Sequence, residues 1–326
     1  MADLEIYVLN VGQADTSIIR TPDGNVIVID AVKPRKVKHV LNQIKPGGSI
    51  SHLIVTHPHL DHYSAVSGLL KAFPVEKVTL APFWYEPGTA GYHKIINRIQ
   101  DEHIPVHFLS GYERFYPDGG TYPAYEHRPY VELLGPPNNI LEDLHKSDEL
   151  TPNHLSIIAR LTYEEFSMVF AADAQMENWA HYDREGMLEK KCDILKAAHH
   201  GSRRGSQWER LERLSPRLVI VSSDPDGSHE LPDLIGSVIF LEYDRDEGHT
   251  VALTRETGTL KIVVDNSATG RFTALSYGER PADPVPFGAA RPLLPTDWAQ
   301  LVISKVAGPG AYPWSHLRPK TPLRGP

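Results

Sequence analysis

The chain has 326 residues, 41% hydrophobic and 23% charged, with a formal net charge of -8. This is the balance of an ordinary globular protein, long enough for one large domain or two small ones, and it excludes a general basic field for nucleic acid, so a polyanion must be met by a local basic patch or by bound cations. Lone Cys192 excludes an internal disulfide and fits a reducing, cytoplasmic setting, no apolar run reaches the roughly 18 residues of a membrane span, and the acidic opening Met1–Glu5 lacks the basic region of a secretory leader.

Leu4 to Val11 reads as a strand, closed by the turn Gly12-Gln13-Ala14-Asp15. Apolar runs at 17–20 and 26–29 flank Pro22-Asp23-Gly24-Asn25, a hairpin signal because Asp-Gly tolerates positive φ. The second run ends at Asp30, read either as a solvent-facing acid or as a buried carboxylate that orients the loop carrying His57. A helix is predicted over 37–44, stopped by Pro46-Gly47-Gly48. The buried-strand run Leu53-Ile54-Val55 then opens into Thr56-His57-Pro58-His59-Leu60-Asp61-His62, with helical apolar spacing over 63–73 behind it. Three imidazoles and one carboxylate thus fall within six residues of a strand-to-helix loop, where side chains converge without disturbing a sheet. Imidazole nitrogen and carboxylate oxygen are the ligands of Zn, Mn or Fe.

Residues 82–150 are rich in proline and tyrosine and read as a loop-rich insertion with a helix over 93–102 and strands at 106–109 and 130–134. Strands follow at 156–163 and 166–172, the second ending in Asp173, and then a helix over 174–190. A strand at 194–198 runs into His199-His200-Gly201-Ser202. Short helices are predicted at 208–214 and 231–235, and strands at 218–222, 238–243, 250–254 and 259–264. Polar residues therefore stand at strand ends in two successive blocks, which two face-to-face sheets with helices outside would align along one edge. Residues 1–265 form the expected domain, and the proline-rich 266–326 an extended tail or strap in which 298–306 can dock as a helix.

His57, His59, Asp61 and His62, with Asp173 and a later strand-end histidine, resemble the metallo-β-lactamase superfamily. Val11–Asp15, Asn153–Ser156, Ala171–Ala174 and Leu195–Ser202 resemble, within it, the C-terminal hydrolase domain of ComEC-type DNA-internalisation proteins. The resemblance covers about residues 4 to 265. It implies an αββα sandwich with two divalent ions, Zn or Mn, on one edge. His57 and His59 would hold one ion, Asp61 and His62 the other with one of His199 and His200, and Asp173 would bridge them. His199 is favoured slightly as the ligand, which leaves His200 as a proton donor or phosphate contact. The sequence departs from the pattern at Ala172, where glycine is usual before the aspartate, at Ala31-Val32, where two glycines follow Asp30, and at Asn153, where the superfamily has a third histidine. Asn153 makes the first position weaker or completed by water and substrate.

Two ions about 3.5–4 Å apart can share a water, lower its pKa toward 7 and offset phosphate charge. A soluble phosphodiesterase or nuclease is therefore the expected function, acting on nucleic acid or a nucleotide, with Tyr112 to Tyr130 a base-stacking loop. A thioester, lactone or β-lactam hydrolase and a non-catalytic metal-stabilised module are the alternatives. Lys196, Arg203 and Arg204 would grip flanking phosphates or else belong to a solvated loop, and His229 would act as general acid or else be an exposed loop histidine.

Overall fold

The computed structural model describes residues 3–82, 90–120, 127–143, 150–184, 186, 190–224, 230–246, 248–278, 290–293 and 296–307. Its first strands are β1 (Leu4–Val8), β2 (Ser17–Arg20), β3 (Val26–Ile29), β4 (His52–Val55), β5 (Val78–Leu80) and β6 (Val106–Phe108). A second group comprises β7 (Tyr112–Phe115), β8 (Tyr130–Leu134), β9 (Ile158–Tyr163), β10 (Phe166–Phe170), β11 (Ile194–Lys196), β12 (Leu218–Val221) and β13 (Thr250–Leu253). The chain then returns to the first sheet with β14 (Leu260–Asn266), β15 (Arg271–Ser276) and β16 (Arg291–Pro292). The strand orders are β16-β15-β14-β1-β2-β3-β4-β5-β6 and β13-β12-β11-β10-β9-β8-β7. Both sheets are mixed: β3 to β6 and β10 to β13 run parallel, and the remaining pairs antiparallel.

Of the parallel strands, β3 and β12 read as unbroken apolar runs because both their faces are covered. Between the sheets, Leu4, Ile6, Ile19, Ile27 and Ile54 meet Val131, Leu133, Ala159, Phe166 and Met168. The outer face of the first sheet packs on α1 (Pro34–Ile44), α2 (Leu60–Tyr63), α3 (Val66–Leu70) and α4 (Ala90–Asp101). A short α5 (Asn138–Asp143) precedes the second block. The outer face of the second sheet packs on α6 (Met176–Arg184), α7 (Trp208–Leu214) and α8 (Leu234–Arg245). The four-layer αββα order expected from the strand ends is the one found.

The Asp23-Gly24 hairpin forms with Gly24 at φ 84 and pairs Arg20 with Val26. Helix α1 starts earlier than its apolar spacing indicated, because Pro34 supplies a preset φ at its first turn. The expected strand at 238–243 is instead the body of α8. Gly236, Ser237, Phe240 and Tyr243 are its buried face, and Asp233 caps it by accepting the Gly236 N–H at 2.8 Å. A short apolar run has no periodicity that separates strand from helix, and the cap decides the matter. The chain past 265 contributes β15 to the first sheet; a short α9 (Thr254–Thr257) lies before β14, and α10 (Trp298–Ala307) packs on α8 with Trp298 and Leu301 buried. No helix among the described residues is long and apolar enough to cross a membrane.

Candidate metal centre

Strand β3 ends at Asp30, β4 at the His57–His62 loop, β10 at Asp173 and β11 at the His199-His200 pair, so all these ends meet on one edge. Non-glycine residues with left-handed backbone gather there: Asp30 (φ 55), Ala172 (φ 48), His199 (φ 46) and His200 (φ 52). Such conformations cost on the order of 1–3 kcal/mol each and persist where the surroundings hold them. At 172 the strain explains the glycine usual in related motifs, since glycine takes positive φ without a Cβ penalty.

Asp30 is 1% exposed. Its carboxylate accepts the Thr56 N–H and hydroxyl, both at 2.8 Å, and the His62 Nδ1–H at 2.7 Å. His200 Nδ1 donates to the Ser222 carbonyl at 2.7 Å. Each bond commits Nδ1 as the donor and leaves Nε2 as the free lone pair, the arrangement a metal-binding imidazole needs. The two Nε2 atoms converge on Asp173 Oδ1, at 3.2 Å from His62 and 3.6 Å from His200, and Asp61 Oδ2 lies 3.5 Å from His200 Nε2. His62 Nε2, His200 Nε2 and Asp173 Oδ1 are all buried without a hydrogen-bond partner. Buried polar atoms are seldom left so. Three orphaned donor atoms facing one point, with Asp61 beside them, fit a divalent cation in an N/O shell.

Around the other oxygen of Asp173 a second group forms. His57 Nε2 stands 3.7 Å from Asp173 Oδ2 and 3.1 Å from His59 Nδ1, and these three residues can hold a metal. Electrostatics agree. Burial disfavours a charged His62, yet Asp173 and Asp30 outweigh it and hold the imidazole well above its ordinary pKa. Burial also works against the Asp173 carboxylate, yet His200 and His62 hold it well below the usual range. The pocket thus attracts positive charge, and a cation satisfies it without protonating the ligands.

The sequence matches the profile of the metallo-beta-lactamase superfamily over residues 9–223. The chain belongs to that superfamily. It is a metal-dependent hydrolase of that superfamily. Among solved structures, a mutant of CmlA beta-hydroxylase is 17% identical with a TM-score of 0.52, over 79% of this chain and 53% of that one, so this chain spans about half its length. Igni18, a metallo hydrolase from the archaeon Ignicoccus hospitalis, is 11% identical with a TM-score of 0.46, over 79% and 98%. A long form RNase Z from yeast is 11% identical with a TM-score of 0.42, over 79% and 41%. Identities this low speak of the fold alone. No curated protein sequence matches the chain.

For a member of this superfamily, the split of the histidine pair is informative. The structure sets His200, not the slightly favoured His199, among Asp61, His62 and Asp173. His199 is partly exposed; its Nε2 lies 3.8 Å from Asp173 Oδ2 and 3.2 Å from the Asn153 amide, and its Nδ1 lies 2.8 Å from the Gln175 amide. Asn153 therefore stands beside the His57–His59 group, its Oδ1 buried and unpaired. His154 is turned away onto Glu177, at 3.2 Å. Lys196 does not reach a phosphate: its side chain is 3% exposed and pairs with Asp15. Arg203 and Arg204 are exposed beside the loop. His229 and the stretch 121–126 of the tyrosine-rich loop lie outside the described residues.

Sequence reasoning assigned no role to Asp15 or Gln175. Asp15 closes behind the site: its N–H donates to the Asp61 carbonyl at 3.0 Å, and Oδ1 stands 3.7 Å from His200 Nδ1. The Gly12–Asp15 turn was the available signal, but its partner Lys196 is 181 positions away.

Proposed function

We propose that this hydrolase cleaves phosphodiesters, with nucleic acid or a nucleotide as substrate. The observation that carries the reading is the single carboxylate of Asp173 presenting one oxygen to each of two imidazole groups. His57, His59 and Asp173 would hold one ion, Zn or Mn, and Asp61, His62, Asp173 and His200 the other. Bound there, two such ions would activate water and neutralise charge on both the attacking and leaving oxygens of an in-line displacement. The likeness of the Val11–Asp15 and Leu195–Ser202 segments to ComEC-type domains supports a nucleic-acid substrate.

The protein's own side chains supply the rest. Asp30 and the Ser222 carbonyl fix the His62 and His200 rings, so no reorientation is needed during reaction. His199 is held between Gln175 and Asn153. Burial keeps its pKa below the ordinary value, and Asp173 only partly offsets this. Both ring nitrogens are engaged there, so His199 would contact a phosphoryl or leaving oxygen, the part first assigned to His200, on exchanging one of these two amides for it. Arg203 and Arg204, on the exposed rim, are the candidates for flanking phosphates.

The test is a substrate panel with Mn or Zn: bis(p-nitrophenyl) phosphate, single-stranded and plasmid DNA, against nitrocefin, a thioester and a lactone. Phosphodiester cleavage that disappears in Asp173→Asn is the expected result. Turnover of only a carbonyl substrate overturns the reading.

A further inference from the structure

A cleft of about 390 Å³ opens between the β7–β8 edge hairpin and α6, lined by Tyr112, Leu134, Pro137, Asn138 and His181. Tyr112 and Leu134 are partners in the β7–β8 register and share the outer face of the second sheet. Leu134 is buried while Tyr112 is 49% exposed, a large fraction for an aromatic ring on an ordered strand. The ring is not loose. Its hydroxyl donates to Glu132 Oε1 at 3.0 Å, and Arg114 holds the same oxygen at 2.6 Å. An aromatic face is therefore fixed in orientation beside a cleft lined also by Leu134 and Pro137, with Asn138 and His181 as its hydrogen-bonding groups.

This cleft adjoins the metal edge. Tyr182, next to His181, donates its buried hydroxyl to the Leu134 and Ser156 carbonyls, both at 3.0 Å, and the Ser156 hydroxyl accepts the Asp173 N–H at 3.2 Å. His181 lies six residues along the chain from Gln175, which touches His199. Across the sheet, Tyr112 on β7 lies three strands from β10, which leads to Asp173, roughly 14 Å at about 4.8 Å per strand, a distance spanned by an oligonucleotide strand that continues past the nucleotide at the scissile phosphate.

We infer that the cleft is a nucleobase subsite, in which a base further along a strand bound at the metal edge stacks on Tyr112 and presents its edge to Asn138 and His181. This rests on the phosphodiesterase reading above. A flat, ring-on-ring contact tolerates any base, so the subsite selects for an oligonucleotide over a simple phosphodiester without selecting a sequence.

The experiment compares wild type, Tyr112→Ala and Tyr112→Phe, all metal-loaded. Binding of a 5′-labelled phosphorothioate hexathymidylate is read by anisotropy, and turnover is read with bis(p-nitrophenyl) phosphate, which has no base. Tyr112→Ala should raise the hexathymidylate Kd about 5- to 100-fold and leave bis(p-nitrophenyl) phosphate kinetics unchanged. Tyr112→Phe, which keeps the ring, should stay near wild type. An unchanged Kd in Tyr112→Ala, no wild-type binding, or equal losses with both probes overturns the subsite. Tyr112-dependent binding with no phosphodiester turnover by wild type leaves the subsite standing and overturns the phosphodiesterase reading instead.

Discussion

Replacing Lys196 by methionine tests its part as an internal counter-charge against the phosphate contact expected from the sequence. Lys196 and Asp15 side chains are 3% and 7% exposed, and they pair between β11 and the β1–β2 loop. Methionine nearly matches the aliphatic stem, so little packing is lost, but the Asp15 carboxylate is left buried beside His200 without its cation. Breaking a buried pair from one side costs about 3–5 kcal/mol, whereas losing a solvent-exposed ion pair costs about 0–1 kcal/mol. Equilibrium urea unfolding of the metal-free protein, followed by circular dichroism and by tryptophan fluorescence, measures the difference where the two transitions coincide. Lys196→Met should lose about 3–5 kcal/mol, and Asp15→Asn added to it should restore a substantial part, since neutralising both partners removes the orphaned charge. A loss under about 1 kcal/mol, with no coupling to Asp15 and a raised, less salt-dependent KM for an oligonucleotide, would refute the buried-pair argument and return Lys196 to the surface.

Other substitutions probe neighbouring parts of the same edge. Ala172→Gly removes a Cβ from a residue at φ 48 and should stabilise by about 1 kcal/mol, read as a higher urea midpoint at constant slope. At Gly236 an added Cβ would stand 2.0 Å from the Gly201 carbonyl oxygen; Gly236→Ala should therefore cost about 1–3 kcal/mol and weaken metal retention by displacing the loop after His200, measured by unfolding and by metal content after dialysis. Asn153→His adds an imidazole beside the His57–His59 group and should raise the affinity of the weaker metal position, seen as tighter binding of the second equivalent in calorimetry. His52 is buried on Thr79 Oγ1 at 2.7 Å, with Lys77, Glu113 and His107 nearby; burial first, then Lys77, pushes its pKa down to about 3. Because the unfolded chain takes up that proton near pH 6.5 and the fold does not, stability holds above that pH and falls below it, by roughly 2 kcal/mol at pH 5. His52→Gln should flatten this acid limb in urea titrations, and an unchanged limb would assign it to other groups.

The sequence made the candidate ligands legible because they are local: four of them lie between His57 and His62, on a loop bounded by an unmistakable strand and a helix. Strand ends at Asp30, Asp173 and His199 were readable by the same logic of an apolar run stopped by a polar residue. What failed was what depends on contacts across the fold. Residues 238–243 carry the apolar density of a strand, and only the Asp233 cap with the packing of Phe240 and Tyr243 makes them a helix. Nothing in Leu195-Lys196-Ala197 tells that the ammonium turns inward, because its partner is a turn at the other end of the chain. Which histidine of the pair faces Asp61 follows from two successive left-handed residues and from the Ser222 carbonyl, neither of which leaves a mark in composition or spacing.

Asp173 has a consequence for how the centre fills. One of its oxygens faces His62 and His200, and the other faces His57 and His199. Two cations held there are linked through one rotatable carboxylate. The first to bind would freeze that rotor and leave less ordering for the second, which would favour cooperative loading, while repulsion between the ions would oppose it. Whatever the sum, it is reciprocal: each ion changes the other's affinity by the same factor. A substitution confined to one position will therefore register in the binding isotherm of both.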